Sequence, residues 1–295
     1  MSRRRVLLGL VLVITLAAGG LAAFVSPPRW LSVIDGLAGG GRGVSKVASG
    51  VPFGAHGQRL DVWRPEGAAG KRLPVVIFYY GGGWVKGSRG AYAFAARAYA
   101  AHGFVVVVPD YRKVPTVRFP AFLQDAADAV RWTNDHVAEH GGDPNRIAVA
   151  GHSAGAYAAA MLALDPRWLG AVGLPREVIK ASVGLSGPYD FYPWTSRRSR
   201  DAMQGVADPR MTQPIAFASA EAPPMLLVTS SADTVVRPRN ADRLAARLRA
   251  VGGRVEYSNH QGLSHEEVVM ALSKPFRDKA PVLAESVAFL RTTLR

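Results

Sequence analysis

Residues 104–111 read FVVVVPDY, and an unbroken run of four valines fits a strand covered on both faces, because a half-exposed strand alternates apolar with polar side chains. The segment LPVVIFYY at 73–80 has the same character. RLDVW (59–63), RIAVAG (146–151), ASVGLS (181–186), PMLLVTS (224–230) and RVEYS (254–258) supply further strands. Helical stretches stand between them: AYAFAARAYAAHG (91–103), ended by Gly103; Ala121 to His140, stopped by Gly141 and Gly142; AGAYAAAMLAL (154–164); Arg239 to Ala250; and Pro281 to Leu294. Strands alternating with helices of this length imply right-handed βαβ crossovers. The chain is therefore expected to be an α/β protein, a mostly parallel central sheet with helices on both faces. In such sheets the chemistry sits at the carboxyl ends of the strands.

A chain of 295 residues with 48% hydrophobic content can bury a substantial core. It contains no cysteine, which excludes disulfides, a thiolate nucleophile and cysteine-built metal or iron–sulfur sites. The formal charge of +14 raises the question of nucleic acid. Yet 29 of the 36 basic residues are arginines scattered among alanine and glycine, with no basic stripe interleaved with aromatics, so nucleic-acid binding is not expected. The amino terminus points elsewhere. Arg3, Arg4 and Arg5 precede an uncharged apolar run from Val6 to Val25, the length a helix needs to cross the hydrocarbon core. Residues 1–25 are expected to be a signal peptide or signal anchor, with the rest of the chain exported to the periplasm or the outer side of the membrane. Residues 26–50, rich in Gly, Pro and Ser, are expected to be a linker with a short helix around Trp30 to Leu37, and 51–295 a single catalytic domain.

The strongest local motif is Gly151-His152-Ser153-Ala154-Gly155. A G-x-S-x-G match alone is weak, but this one falls between a β-branched strand and an alanine-rich helix, where a nucleophile elbow must lie. Such a turn strains the serine backbone, and the two glycines let strand and helix pass without Cβ clashes. The hydroxyl then stands at a helix amino terminus, which favours developing negative charge. A second motif, Gly81-Gly82-Gly83-Trp84, ends the strand at 73–80. A glycine run lets main-chain N–H groups approach a substrate with no side chain in the way, as an acyl-transfer site requires. It lacks the Gly-Lys-Ser/Thr ending of a phosphate-binding loop.

With these motifs, and with PDYR (109–112), FPAFLQDAADAVRW (119–132) and GGDPNRIAVAGHSAG (141–155), the chain resembles the α/β-hydrolase superfamily over most of residues 55–293. Within it, the resemblance is to hormone-sensitive-lipase-like and related bacterial carboxylesterases with a His-Gly-Gly-Gly motif. It implies that the N–H groups of Gly82, Gly83 and Ala154 form an oxyanion hole. Where those proteins carry the histidine, this chain has Tyr80, whose phenol is expected to orient the loop. The family order is serine, acid, histidine. Asp233, after the strand PMLLVTS, matches the acid position, with Asp190 and Asp242 as alternatives. Of seven histidines, His56, His102, His136 and His140 precede the nucleophile at positions that read as solvated, and His152 lies inside the elbow, pointing away. His265, in GLSHEEVV, resembles the family's Gly-x-x-His, leaving His260 as a polar loop residue.

The expected activity is hydrolysis of small carboxylic esters through Ser153, His265 and Asp233, with no metal or organic cofactor. An arylformamidase or amidase would use the same triad, and a non-catalytic membrane-tethered module is the reading from a different class. Residues 189–222 are expected to form a small helical cap. Phe191, Tyr192 and Trp194 from it, with Trp84 from the glycine loop, are candidates to line an apolar pocket for a short acyl or aryl group. Ordinary core packing is the competing role for each.

Overall fold

A computed structural model of the chain describes residues 27–295. The expected signal or anchor segment, 1–25, lies outside the described residues. Among those described, no helix is long and apolar enough to cross a membrane.

Eight strands form one sheet: β1 (Val44–Phe53), β2 (Gln58–Pro65), β3 (Leu73–Tyr79), β4 (Val105–Pro109), β5 (Gly142–His152), β6 (Ile179–Leu185), β7 (Met225–Ser230) and β8 (Val255–His260). Their order is β1-β2-β4-β3-β5-β6-β7-β8. β2 runs antiparallel to both β1 and β4, and every other pair is parallel. The sheet and its helices are those of the α/β-hydrolase fold. The four valines at 105–108 are fully buried, as a two-sided cover requires, and each such side chain contributes about 1.5–3 kcal/mol relative to exposure.

The helices divide between the two faces. On one side lie α1 (Pro27–Leu37), α2 (Ala93–Ala100) and α9 (Val282–Thr293); on the other lie α3 (Ala121–His136), α4 (Ala154–Leu164) and α7 (Arg239–Ala250). Helix α4 is buried along its whole length, which explains why its sequence has no polar face. Short helices α5 (Arg167–Ala171), α6 (Arg197–Met203) and α8 (His265–Met270) complete the set. The connection from β3 steps to β4 on one side, and β5 returns to the other side of β3. The strand order thus reverses between β3 and β5, and a ligand crevice opens at such a point. The two motifs singled out in the sequence, the glycine run and the serine turn, are the loops that leave these two strands.

The expected linker requires correction, because residues 27–50 are built into the domain. Asp35 of α1 is buried, its carboxylate accepting from Arg97 Nε at 2.8 Å and from the Lys274 amide at 2.8 Å. Ser32 donates to the Ala91 carbonyl at 2.8 Å and accepts from the Phe94 amide at 3.2 Å. The glycines between helix and strand make a tight turn: Gly39 and Gly43 have φ of 79° and 70°. A Cβ on Gly40 would come within 2.3 Å of the Asp35 carboxylate. β1 begins at Val44 and is an edge strand, so the boundary expected at residue 51 falls inside it.

Residues 187–224, between β6 and β7, carry α6 and two 3₁₀ turns. This segment is fastened by polar side chains. Asn240 Oδ1 accepts the amides of Tyr189 and Asp190, each at 3.0 Å. Gln213 Oε1 accepts those of Phe191 and Tyr192 at 2.7 and 3.1 Å.

Candidate active site

Ser153 stands between β5 and α4 with φ 55° and ψ −121°, a backbone conformation that costs a non-glycine residue of order 1–3 kcal/mol. The surrounding chain enforces it. The Ser153 amide donates to the Leu185 carbonyl at 2.9 Å, and its carbonyl accepts the Tyr157 amide at 3.0 Å. Both flanking glycines are required by space, since a Cβ on Gly151 would lie 2.4 Å from Gly155 main chain, and one on Gly155 only 2.0 Å from the Tyr79 carbonyl oxygen. Because these clashes are with backbone, Gly155→Ala is expected to destabilise the fold by about 3 kcal/mol. Urea denaturation measures this, and a loss under about 0.5 kcal/mol would refute the packing argument.

His265 and Asp233 meet Ser153 at the carboxyl ends of β5 and β7. His265 Nε2 is 2.9 Å from Ser153 Oγ, and His265 Nδ1 is 2.8 Å from Asp233 Oδ2. A carboxylate only accepts, so Nδ1 carries the proton and Nε2 is left to accept the serine hydroxyl. All three residues are buried. The other oxygen of Asp233 has a different task, accepting the amides of Val235 and Val236 at 3.0 and 2.8 Å. Asp233 therefore both builds its loop and faces the imidazole. His265 opens α8, where Ser264 and Glu267 form a reciprocal capping box. Ser230 joins the two loops, its hydroxyl accepting the Leu263 amide at 2.9 Å.

The rival candidates are placed elsewhere. Asp190 pairs with Arg243 at 2.7 Å, and Asp242 accepts the Tyr257 hydroxyl. His260 is not on a loop, as expected from sequence; it ends β8 and lies 3.2 Å from Glu285.

After β3 the backbone turns through Gly82, Gly83 and Trp84 with φ of 135°, 61° and 61°. The Gly82 carbonyl accepts the Val85 and Lys86 amides at 3.3 and 3.2 Å, while the amides of Gly82 and Gly83 donate to no acceptor among the described residues. Ala154 is the first residue of α4, where an amide has no carbonyl one turn back. From the cap, Arg198 lies across the loop: a Cβ on Gly83 would come within 2.8 Å of its Cδ.

Tyr80 anchors this loop from beneath. Its hydroxyl donates to Asp110 Oδ1 at 3.0 Å and accepts from Lys113 Nζ at 3.0 Å. Its carbonyl accepts the Tyr111 hydroxyl at 3.0 Å. Burial holds the phenol well above the ordinary tyrosine range, so it remains a donor. The ring packs on the far end of the loop, where a Cβ on Gly87 would meet Cδ2 at 2.6 Å.

The four candidate pocket residues separate into two groups. Trp84 is buried, stacks on Phe191 with centroids 6.0 Å apart, and meets Tyr157 edge-on at 5.5 Å and Phe122 at 6.2 Å. Tyr192 is 54% exposed and packs on Trp194 at 5.3 Å. Trp84 and Phe191 thus belong to an aromatic cluster beside the glycine loop, and Tyr192 and Trp194 to a pair on the cap.

His152 departs from expectation. Its ring does not point away but lies fully buried beneath His265, with centroids 4.7 Å apart. Its Nε2 is 3.1 Å from the His265 carbonyl oxygen and its Nδ1 is 3.2 Å from the Tyr92 hydroxyl. A histidine one residue before the serine, at the end of a strand buried on both faces, was the available sign of this.

Comparison with known proteins points to the same fold. The BD-FAE family pattern matches residues 60–248. The chain is similar to Esterase LipC of Mycobacterium tuberculosis, 35% identical over 227 residues, covering 70% of this chain and 56% of that protein. An esterase of Pyrobaculum calidifontis superposes with a TM-score of 0.70 at 26% identity over 90% of each chain. EstE1, a thermophilic carboxylesterase cloned from a metagenomic library, superposes with a TM-score of 0.71 at 25% identity, covering 92% of this chain and 99% of that one. The chain spans about half the length of the curated relatives it matches.

Proposed function

Since the chain belongs to the BD-FAE family, among the α/β-hydrolase serine esterases akin to hormone-sensitive lipase, we propose that it hydrolyses small carboxylic esters through an acyl-enzyme on Ser153. The observation that carries this reading is the continuous line from Ser153 Oγ through His265 to Asp233, 2.9 and 2.8 Å, with the Ala154 amide next to the serine in the chain and the amides of Gly82 and Gly83 donating to no acceptor among the described residues. A serine hydroxyl is too weakly acidic to attack a carbonyl at neutral pH without such a base. In the proposed reaction His265 Nε2 takes the hydroxyl proton as Oγ bonds to the ester carbon. The amides of Gly82, Gly83 and Ala154 face the oxygen that becomes negative. His265 returns the proton to the departing alcohol, and the C–O ester bond breaks. Water then gives a proton to the same nitrogen as its oxygen bonds to the acyl carbon; the C–Oγ bond breaks, Oγ takes the proton back from His265, and the acid leaves.

The substrate class follows from the surroundings. Phe191 is the half-buried member of the aromatic cluster, resting on the buried Trp84 and Tyr157 beside the glycine loop, and the segment between β6 and β7 is too short to form a large lid. Short acyl or aryl esters fit that description. Across p-nitrophenyl acetate, butyrate, octanoate and palmitate, kcat/KM is expected to peak at acetate or butyrate and to fall at least about tenfold by palmitate. A maximum at palmitate would overturn the size argument, and faster turnover of N-formylkynurenine than of any ester would favour an arylformamidase.

Export is a companion proposal, supported by Arg3 to Arg5 and the apolar run from Val6 to Val25. Protease added to cells whose outer layers have been removed, with the cytoplasmic membrane intact, should then reach the catalytic domain. Activity confined to the cytosolic fraction would sink it.

A further inference from the structure

His152 takes no part in the reaction just proposed, yet it is a fully buried imidazole with a hydrogen-bond partner at each nitrogen. The direction of both bonds is fixed by chemistry. The His265 carbonyl can only accept, so His152 Nε2 carries a proton and donates it. A neutral ring then has a bare Nδ1, which accepts the Tyr92 hydroxyl. Burial, with His265 adding to it, holds this imidazole well below the ordinary histidine range, so it is neutral and the tautomer is single. Tyr92 is itself buried, and its ring packs at 5.9 Å on Tyr80 beneath the glycine loop. Gly81, which opens that loop, touches both partners: a Cβ there would stand 2.8 Å from His152 Nδ1 and 3.0 Å from the Tyr92 hydroxyl oxygen.

We propose that His152 is a positioning residue, and that the Tyr92–His152 pair fixes the main chain of His265 and holds it in register with Gly81 and the glycine loop. This inference rests on His265 acting as the base for Ser153. Asp233 holds only one edge of that ring, through Nδ1. The ring swings from its own Cα, so a shift of the backbone at 265 carries Nε2 off Ser153 even while the carboxylate bond persists. Two independent holds, one on the ring edge and one on the carbonyl, leave the imidazole a single place. The same histidine is adjacent in sequence to Ser153, so base, nucleophile and glycine loop share one rigid reference. Because His152 is uncharged, it also places no second positive charge 4.7 Å from His265 while that ring holds the serine proton.

The test uses the full chain, with competent sites counted by a fluorophosphonate probe and with kcat and KM measured separately on p-nitrophenyl butyrate. A misplacement of about 1 Å at a reacting group costs about 100-fold. His152→Leu, which removes both bonds, is expected to lose about 10–100-fold in kcat per titrated site, with KM within about twofold. His152→Gln places an amide N–H near the position of the imidazole Nε2 and is expected to recover kcat to within about fivefold of wild type. Tyr92→Phe removes the hydroxyl that orients the ring and is expected to lose about 3–10-fold, again in kcat. A purely structural role predicts another pattern, lower thermal midpoints for all three variants with unchanged kcat per titrated site, and that result overturns the proposal. If His152→Leu does not fold, the contrast between Gln and Phe variants decides in the same way: equal, wild-type kcat in both refutes it. Wild-type protein that is not labelled at Ser153 would instead refute the acyl-enzyme reading itself.

Discussion

Ser153→Ala is expected to lower kcat on p-nitrophenyl butyrate by roughly 10⁵–10⁶-fold while leaving the protein folded. The size follows from what is lost. Without Oγ no covalent intermediate forms, and His265 has no hydroxyl to deprotonate, so the triad fails as a unit and not by one partner's share. The residual rate, about 10³-fold above water alone, is what the glycine-loop amides and substrate binding can supply by themselves. The fold should tolerate the change because, among the described residues, the Ser153 side chain has one hydrogen-bond partner, His265 Nε2. Removing one such bond costs about 1 kcal/mol. The strained turn is held by main-chain bonds to Leu185 and Tyr157 and by the two flanking glycines, none of which involves the hydroxyl. The measurements are kcat, the urea midpoint, and fluorophosphonate labelling with peptide mapping. Hydrolysis within tenfold of wild type, or a label on another residue, would remove Ser153 from the mechanism.

The parts of this structure legible in the sequence are those governed by local rules. Val105 to Val108 read as a strand covered on both faces because burial on two sides leaves no room for a polar residue. The elbow could be placed because a serine forced to positive φ requires neighbours without Cβ atoms, and Gly151 and Gly155 supply them. Helix α7 begins and ends where its amphipathic pattern does, and α4 spans the alanine-rich run that follows the serine. What could not be read depends on partners distant in the chain. The segment 26–50 has a linker's composition, but its glycines serve a tight turn, and its one buried charge, Asp35, is neutralised by Arg97, 62 residues away. β1 is hidden in the sequence for a related reason. An edge strand shielded on few sides carries a weak apolar alternation, and its neighbours cannot be seen from within it. His152 belongs to the same class. Its sequence position fixes the strand end, but only the arrival of His265 from 113 residues away gives its Nε2 something to hold.

Asp233 shows how far a single carboxylate can be divided, and Asp233→Asn should expose the division with a loss of about 10⁴-fold in kcat. One oxygen accepts the amides of Val235 and Val236, and the other accepts the proton of His265 Nδ1. In the asparagine variant the amide oxygen keeps the two loop bonds, because main-chain N–H groups require an acceptor there. The NH₂ group must then face His265. Two donors cannot share one hydrogen bond, so the imidazole moves its proton from Nδ1 to Nε2, and the nitrogen that should accept the serine hydroxyl becomes a donor. The base is lost through its tautomer while every heavy atom stays near its place. The expected signature is therefore a collapse of kcat with KM within about threefold and a urea midpoint close to wild type. Asp233→Ala should differ in kind, since it also strands the two amides of the loop and so lowers stability by about 1–3 kcal/mol. A D233N protein that retains more than a tenth of wild-type kcat would mean that Asp233 serves only to shape its loop, and that His265 is oriented by something else.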